Sequence, residues 1–149
     1  MVDFMSGREI RIYRDMLLAF MGHILKELYG DEALDVLMRW RHEKIRKRWK
    51  EIAENTGRKD PEYLFRLFSK EAHEFEVIRK SRKALEVKVK KCIHADVFRK
   101  LNATDIGYKL ICSGDEAVTE GFNPKIKFSR PKVLMKGDDC CHFIWELRE

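Results

Sequence analysis

His73-Glu74-Phe75-Glu76-Val77-Ile78-Arg79-Lys80, followed after a short break by Ala84-Leu85-Glu86-Val87-Lys88-Val89-Lys90, is the stretch on which the fold turns. His73, Phe75, Val77 and Arg79 alternate with Glu74, Glu76 and Ile78; Leu85, Val87 and Val89 alternate with Glu86, Lys88 and Lys90. A period of two over this length predicts two half-buried strands joined by a turn at residues 80–83. Upstream the period is helical. Ser6-Gly7-Arg8-Glu9 has capping-box spacing, and Ile10, Tyr13, Leu17, Phe20, Ile24 and Leu28 recur on one helix face up to Gly30. Asp31 is the expected cap of a second helix, with a stripe through Leu34, Met38, Arg41, Ile45, Trp49 and Ile52, ending near Asn55-Thr56-Gly57. Asp60-Pro61 announces a short third helix carrying Leu64, Leu67 and Phe68. Downstream, helices are expected at residues 94–101 and 104–120, and strands at residues 125–135 and 140–147. Helices, hairpin, helices and hairpin in that order indicate an α+β fold: an N-terminal helical hairpin and further helices on an antiparallel sheet of about four strands built from two hairpins.

Length and composition fit one domain over residues 1–149, with a helical part at 1–72 and a strand–helix–strand part at 73–149. The chain has 149 residues, of which 44% are hydrophobic and 38% charged, so it has enough apolar material for a core and is not a charge-dominated disordered segment. No apolar run approaches the length of a membrane span, and Met1-Val2-Asp3-Phe4-Met5 does not have the basic-then-apolar pattern of a leader. A cytoplasmic location without membrane contact is the expectation. The four cysteines are then reduced thiols, and adjacency makes Cys140 and Cys141 a poor disulfide pair.

The net charge of +6 is concentrated between Arg39 and Lys50, where seven basic residues meet the single acid Glu43. Such a helix could bind phosphates, but a solvated face around an apolar stripe is the commoner meaning of this pattern, so nucleic-acid binding ranks below it. Trp40 and Trp49 lie near the stripe and read as packing residues. Phe4, Met5, Phe20, Met21 and Trp40 supply more apolar surface than a helical hairpin buries on one side, which points to a homodimer through the helices.

The chemistry-bearing residues lie in the last third. On the helix after Thr104, Tyr108, Cys112 and Asp115 share a face beside a second face of Gly107, Ile111, Gly114 and Val118, whose glycines would allow close approach to a sheet. The plain alternative is a core cysteine and an exposed aspartate. In the next strand Arg130 falls with Ile126 and Phe128 on the apolar parity, so it wants an anion: a ligand, or an internal partner such as Asp115 or Asp138. Alternation from residue 140 points Cys141 inward and Cys140 outward. Gly137-Asp138-Asp139 is also an ordinary hairpin turn. Cys140 and His142 do not have a second half for a tetrahedral metal site, and Cys92 with His94 does not supply it without a fold, so no metal or cofactor is expected. His23, His42 and His73 receive no role.

Cys112-Ser113-Gly114-Asp115, Glu120-Gly121-Phe122-Asn123-Pro124-Lys125-Ile126, Arg130, and Met135-Lys136-Gly137-Asp138-Asp139-Cys140-Cys141-His142-Phe143 together resemble the C-terminal signature of the L-2-amino-thiazoline-4-carboxylic acid hydrolase family. The likeness is close over about the last forty residues and general in layout before them. It implies a small-molecule substrate and a family that includes enzymes opening a cyclic amidine to N-carbamoyl-cysteine. The Asp-Asp-Cys-Cys turn is also similar, more faintly, to small-molecule-binding domains of the vinyl-reductase-like and Golgi-transport type. Hydrolysis of such a ring needs a nucleophile, proton transfer at nitrogen and a departing thiolate. Cys112 or Cys141 could attack as thiolate, or Asp115 could activate water; Arg130 would hold the substrate carboxylate and Asp138 the amidinium. Asn123 and Tyr108 complete the expected substrate contacts. Two alternatives stand beside this one: a noncatalytic ligand-binding domain, and nucleic-acid binding through residues 39–50.

Overall fold

The computed structural model describes residues 5–149, so Phe4, counted above toward a dimer surface, lies outside the described residues. Helix α1 (Gly7–Tyr29) opens on the expected capping box: the Ser6 hydroxyl accepts the Glu9 amide, and the Glu9 carboxylate accepts the Ser6 amide. Its apolar stripe, however, faces outward. Tyr13, Leu17, Phe20, Ile24 and Leu28 are exposed, while Asp15, Ala19 and Gly22 are buried. Periodicity identifies a face but not its partner, and α1 docks through its small residues: a side chain at Gly22 would overlap Ile106. Gly30 (φ 76°) separates α1 from α2 (Asp31–Thr56) and itself precedes the first turn of α2, so Asp31 is that helix's first residue and not its cap. Gly57, at φ 67°, ends α2 in the left-handed conformation. Trp49 packs edge-on to Phe122, but Trp40 is 67% exposed and is not a packing residue.

The third helix is a 3-10 helix (Pro61–Leu67) with proline in its first turn. Asp60 does not cap it, because its carboxylate is held by both donors of the Arg58 fork, at 2.7 and 2.9 Å. Phe68 then enters the core against Phe143 (centroids 5.1 Å) and Trp145 (6.0 Å).

The sheet has the order β1-β2-β4-β3, antiparallel throughout, from strands β1 (His73–Lys80), β2 (Ala84–Cys92), β3 (Ile126–Ser129) and β4 (Cys141–Leu147). The central β2 buries Leu85, Val87 and Val89 as alternation predicts. β1 is an edge strand with two register shifts, and beyond Phe75 it is exposed, not half-buried. β3 stops at Ser129 and does not run to residue 135. Pro131 cannot donate to a ladder, and the chain leaves the sheet for a 3-10 turn (Leu134–Lys136) closed by Gly137 at φ 95°.

Between the hairpins run α3 (Ile93–Lys100), α4 (Thr104–Gly107), a π-helical turn (Tyr108–Cys112) and α5 (Gly114–Phe122). The last three form the expected helix, interrupted. Ser113 donates its amide five residues back, to Tyr108 O at 2.8 Å, so the turn holds one residue more than an α-helix would. The glycine face meets helices and a turn instead of the sheet: a side chain at Gly107 would strike Phe98 and Met135, and one at Gly114 would reach Ile45. The core centres on Trp145, fully buried, whose indole N–H donates to Thr119 Oγ1 at 2.9 Å. Among the described residues no helix is long and apolar enough to cross a membrane.

Candidate functional site

A cavity of about 140 Å³ lies between the covered face of the sheet and the helices. Phe68, Phe143 and Trp145 form an aromatic wall; Cys92, Cys112 and Cys141 contribute thiols; His73 and His94 contribute imidazoles; Asp115 and Arg130 contribute an ion pair. Each arrives for a local reason. The β1–β2 register sets His73 opposite Cys92, and His94 follows two residues later in the first turn of α3. Cys112 closes the π turn, and Asp115 opens α5. Arg130 leaves the end of β3, and Cys141 starts β4 opposite Val89.

Arg130 is the electrostatic centre, its side chain only 6% exposed. Its Nη1 donates to Asp115 Oδ2 at 2.5 Å and its Nη2 to the Cys112 carbonyl at 3.1 Å, while its buried Nε has no partner. The guanidinium carbon also lies 5.3 Å from the Phe143 ring centre and 5.7 Å from that of Phe128. Both terminal nitrogens are thus engaged within the protein. Each of them still carries a second N–H, so a ligand anion would share these nitrogens with Asp115 and the Cys112 carbonyl.

Burial pushes the Asp115 carboxyl up to about 6, against the Arg130 charge, which pulls it down. Burial also dominates the thiols: Cys92 is pushed up to about 11, and Cys112 and Cys141 are raised, with the Arg130 charge opposing but outweighed at Cys112. All three rest as protonated thiols at neutral pH. Burial, with the His94 and Arg11 charges adding to it, holds His73 down to about 4.

Four of the seven residues expected from sequence meet at the cavity: Cys112, Asp115, Arg130 and Cys141. Tyr108 does not line it. Its ring centre still lies 5.9 Å from the Arg130 guanidinium carbon, and Lys136 Nζ stands over the ring at 4.0 Å. Asn123 is buried in a corner, its amide donating to Lys59 O and its carbonyl oxygen accepting the Lys125 amide, so it ties α5 to the loop after α2. Asp138 is exposed and accepts the Val133 amide at 2.7 Å, fixing its turn away from the cavity. Cys140, expected to point outward, is buried; it precedes β4 and so stands outside that strand's alternation.

Sequence reasoning missed His73, Cys92, His94 and Asp15. Asp15 on α1 is fully buried; His94 Nδ1 bonds one of its oxygens and the Arg14 fork the other, at 2.8 and 3.1 Å. The only trace in the sequence is an acid on the helix face that also carries Ala19 and Gly22. Ligand atoms of His73, Cys92 and His94 all lie within 4.8 Å of one another, which makes them the group able to hold a metal ion among the described residues.

A family model described as L-2-amino-thiazoline-4-carboxylic acid hydrolase matches residues 9–145. The chain belongs to this family. The match extends the likeness from the C-terminal signature to the helical part as well. No curated protein matches the sequence of this family member. Among solved structures it is similar to the phenol-responsive sensory domain of the transcription activator PoxR with phenol, at 13% identity and a TM-score of 0.52, over 89% of this chain and 74% of that one. It is also similar to a trafficking protein particle complex subunit 3 from Naegleria fowleri covalently bound to palmitic acid, at 13% identity and a TM-score of 0.49, over 92% and 96%. The first of these shares the fold.

Proposed function

We propose that this family member binds a small planar heterocycle carrying a carboxylate and an amidine-type nitrogen, and hydrolyses it. The observation that carries the reading is the cavity of about 140 Å³ in which an aromatic wall faces the Arg130–Asp115 pair. Cavities near 150 Å³ accept a benzene-sized guest, so the space suits one five-membered ring with its substituents. A plus–minus pair complements a minus–plus ligand: the carboxylate approaches the remaining terminal N–H groups of the Arg130 guanidinium, and the amidinium approaches Asp115.

For a 2-aminothiazoline-4-carboxylate the reaction proceeds as follows. Asp115 takes a proton from water as the water oxygen bonds to the amidine carbon. The carbon–sulfur bond of the resulting tetrahedral carbon then breaks as its hydroxyl oxygen closes to the carbonyl. The departing sulfur receives the proton held by Asp115, and the hydroxyl proton is released to solvent, which balances the positive charge the amidinium brought in. One water is consumed and an N-carbamoyl amino-acid thiol results. A carboxyl near 6 is ionised at neutral pH yet basic enough for this work. Water is preferred over a cysteine nucleophile because burial keeps the thiols protonated.

Turnover of 2-aminothiazoline-4-carboxylate by the wild type and by Cys112→Ser, Cys141→Ser and Asp115→Asn tests this. Both serine variants should retain turnover and the asparagine variant should lose it. Loss in Cys112→Ser alone would restore the covalent route. The shared fold with a phenol-responsive sensory domain favours one second reading, in which the same cavity holds a ligand without reaction. Saturable heat of binding with no product would establish it.

A further inference from the structure

We propose that His73, Cys92 and His94 form an open-sided binding site for a borderline divalent transition metal, of the zinc or cobalt class. Their ligand atoms converge within 4.8 Å on one wall of the cavity. A tetrahedral ion with bonds of ~2.0–2.3 Å would set these atoms roughly 3.3–3.6 Å apart, so rotamer adjustments of about an ångström close the site. Two imidazoles and one thiolate, formed as the arriving ion displaces the Cys92 thiol proton to solvent, select zinc-like ions over calcium or magnesium, which prefer oxygen.

The backbone assembles this set. His73 and Cys92 are direct partners across the β1–β2 ladder, and His94 sits where the chain turns from β2 into α3. A second observation points to the same ligand. Asp15, a fully buried carboxylate, bonds His94 Nδ1, which leaves Nε2 as the ring nitrogen available to the cavity. A carboxylate holding the far nitrogen of a ligating imidazole fixes its tautomer and raises its basicity, the usual outer support of a metal histidine. His73 accepts a long amide bond at Nδ1 from Ser69, 3.3 Å, which is given up when Nε2 ligates. Three protein ligands leave a fourth position, open to the cavity where Asp115 and Arg130 stand, as in metal sites that exchange water or a ligand. Metal binding itself does not depend on the hydrolase reading.

Chelator-stripped full-length protein titrated with cobalt(II) alone, without substrate, tests the site. Expected are one equivalent bound, visible bands of a tetrahedral ion and a near-ultraviolet sulfur-to-cobalt charge-transfer band. Cys92→Ser should abolish that band, whereas Cys112→Ser and Cys141→Ser should retain it. Asp15→Asn should keep the band and weaken affinity by about 10–100-fold, the effect of losing an outer-shell carboxylate. Should Cys92→Ser not fold, wild-type protein gives the same answer: zinc(II) should protect Cys92 from alkylation, mapped by peptide mass. No charge-transfer band in the wild type, survival of the band in Cys92→Ser, or equal alkylation of Cys92 with and without zinc would each overturn the proposal. Failure here would leave substrate turnover untouched, so it is distinguishable from failure of the hydrolase reading.

Discussion

Replacing Asp115 by Asn should make the folded protein more stable at pH 8 while abolishing turnover. The reasoning rests on linkage. In the folded chain this carboxyl is raised from an ordinary 3.8 to about 6, which means that folding favours its neutral form even with Arg130 alongside. A raised carboxyl contributes stability fully present below the unfolded value near 4 and lost as pH rises through the folded value near 6. Asparagine retains the shape and the oxygen that accepts from Arg130 Nη1, but never ionises. The interval from 3.8 to about 6, at about 1.4 kcal/mol per pH unit, corresponds to a gain of at most about 3 kcal/mol at pH 8. At pH 4, where the wild type is itself largely neutral, the two proteins should differ little. Urea unfolding at pH 4, 6 and 8 measures this as a widening gap in transition midpoint at constant m-value. A variant less stable than the wild type at pH 8, or a difference independent of pH, would refute the argument and show that the ion pair is net stabilising. The expected outcome is the trade of stability for a functional charge that binding sites commonly show.

Arg130→Met removes the charge that holds Asp115 down, so the carboxyl should titrate above 6 in a carbon-13 pH titration, and the stability deficit of the variant should grow from pH 5 to pH 8. A midpoint at or below that of the wild type would contradict this. Gly121→Ala places a methyl group into the α2 backbone at Arg46, which cannot yield as a flexible side chain would; a loss of about 1–3 kcal/mol should appear as a lower melting temperature, and an unchanged one would mean that α5 shifts freely. The exposed face of Leu17, Phe20 and Ile24 on α1, with Trp40 of α2 also exposed, should drive self-association. Sedimentation velocity should show a concentration-dependent dimer that Phe20→Glu with Ile24→Glu reduces to monomer; a wild type monomeric at high micromolar concentration would remove this expectation.

The sheet was legible because apolar and polar residues alternate through Leu85–Lys90, and both hairpins pair antiparallel, the first with two register shifts in β1 that alternation does not record. The helix stripes showed where α1 and α2 lie, but α1 turns its larger residues to solvent, since the contact with Ile106 demands glycine. Cys112, Asp115, Arg130 and Cys141 could be grouped because all four lie within thirty residues, on consecutive elements with clear periods. Asp138 and Asn123 were drawn in by the same proximity, yet each spends its polar atoms on backbone nearby. His73, Cys92 and His94 were hidden for the opposite reason. Their meeting depends on strand register, and that of His94 with Asp15 on a helix 79 residues away. No local spacing records either.

The widened turn at Tyr108–Cys112 separates two jobs that one straight rod would have to combine. Upstream, the segment seats Ile106 and Gly107 in the interior; downstream, it presents Cys112 and Asp115 to the hollow. Excising a single amino acid there would swing the two portions by about 100° relative to each other. Relatives one residue shorter at this point could therefore keep the same core and display a different set of side chains, so the length of this loop of helix is a place where specificity can change while the architecture does not.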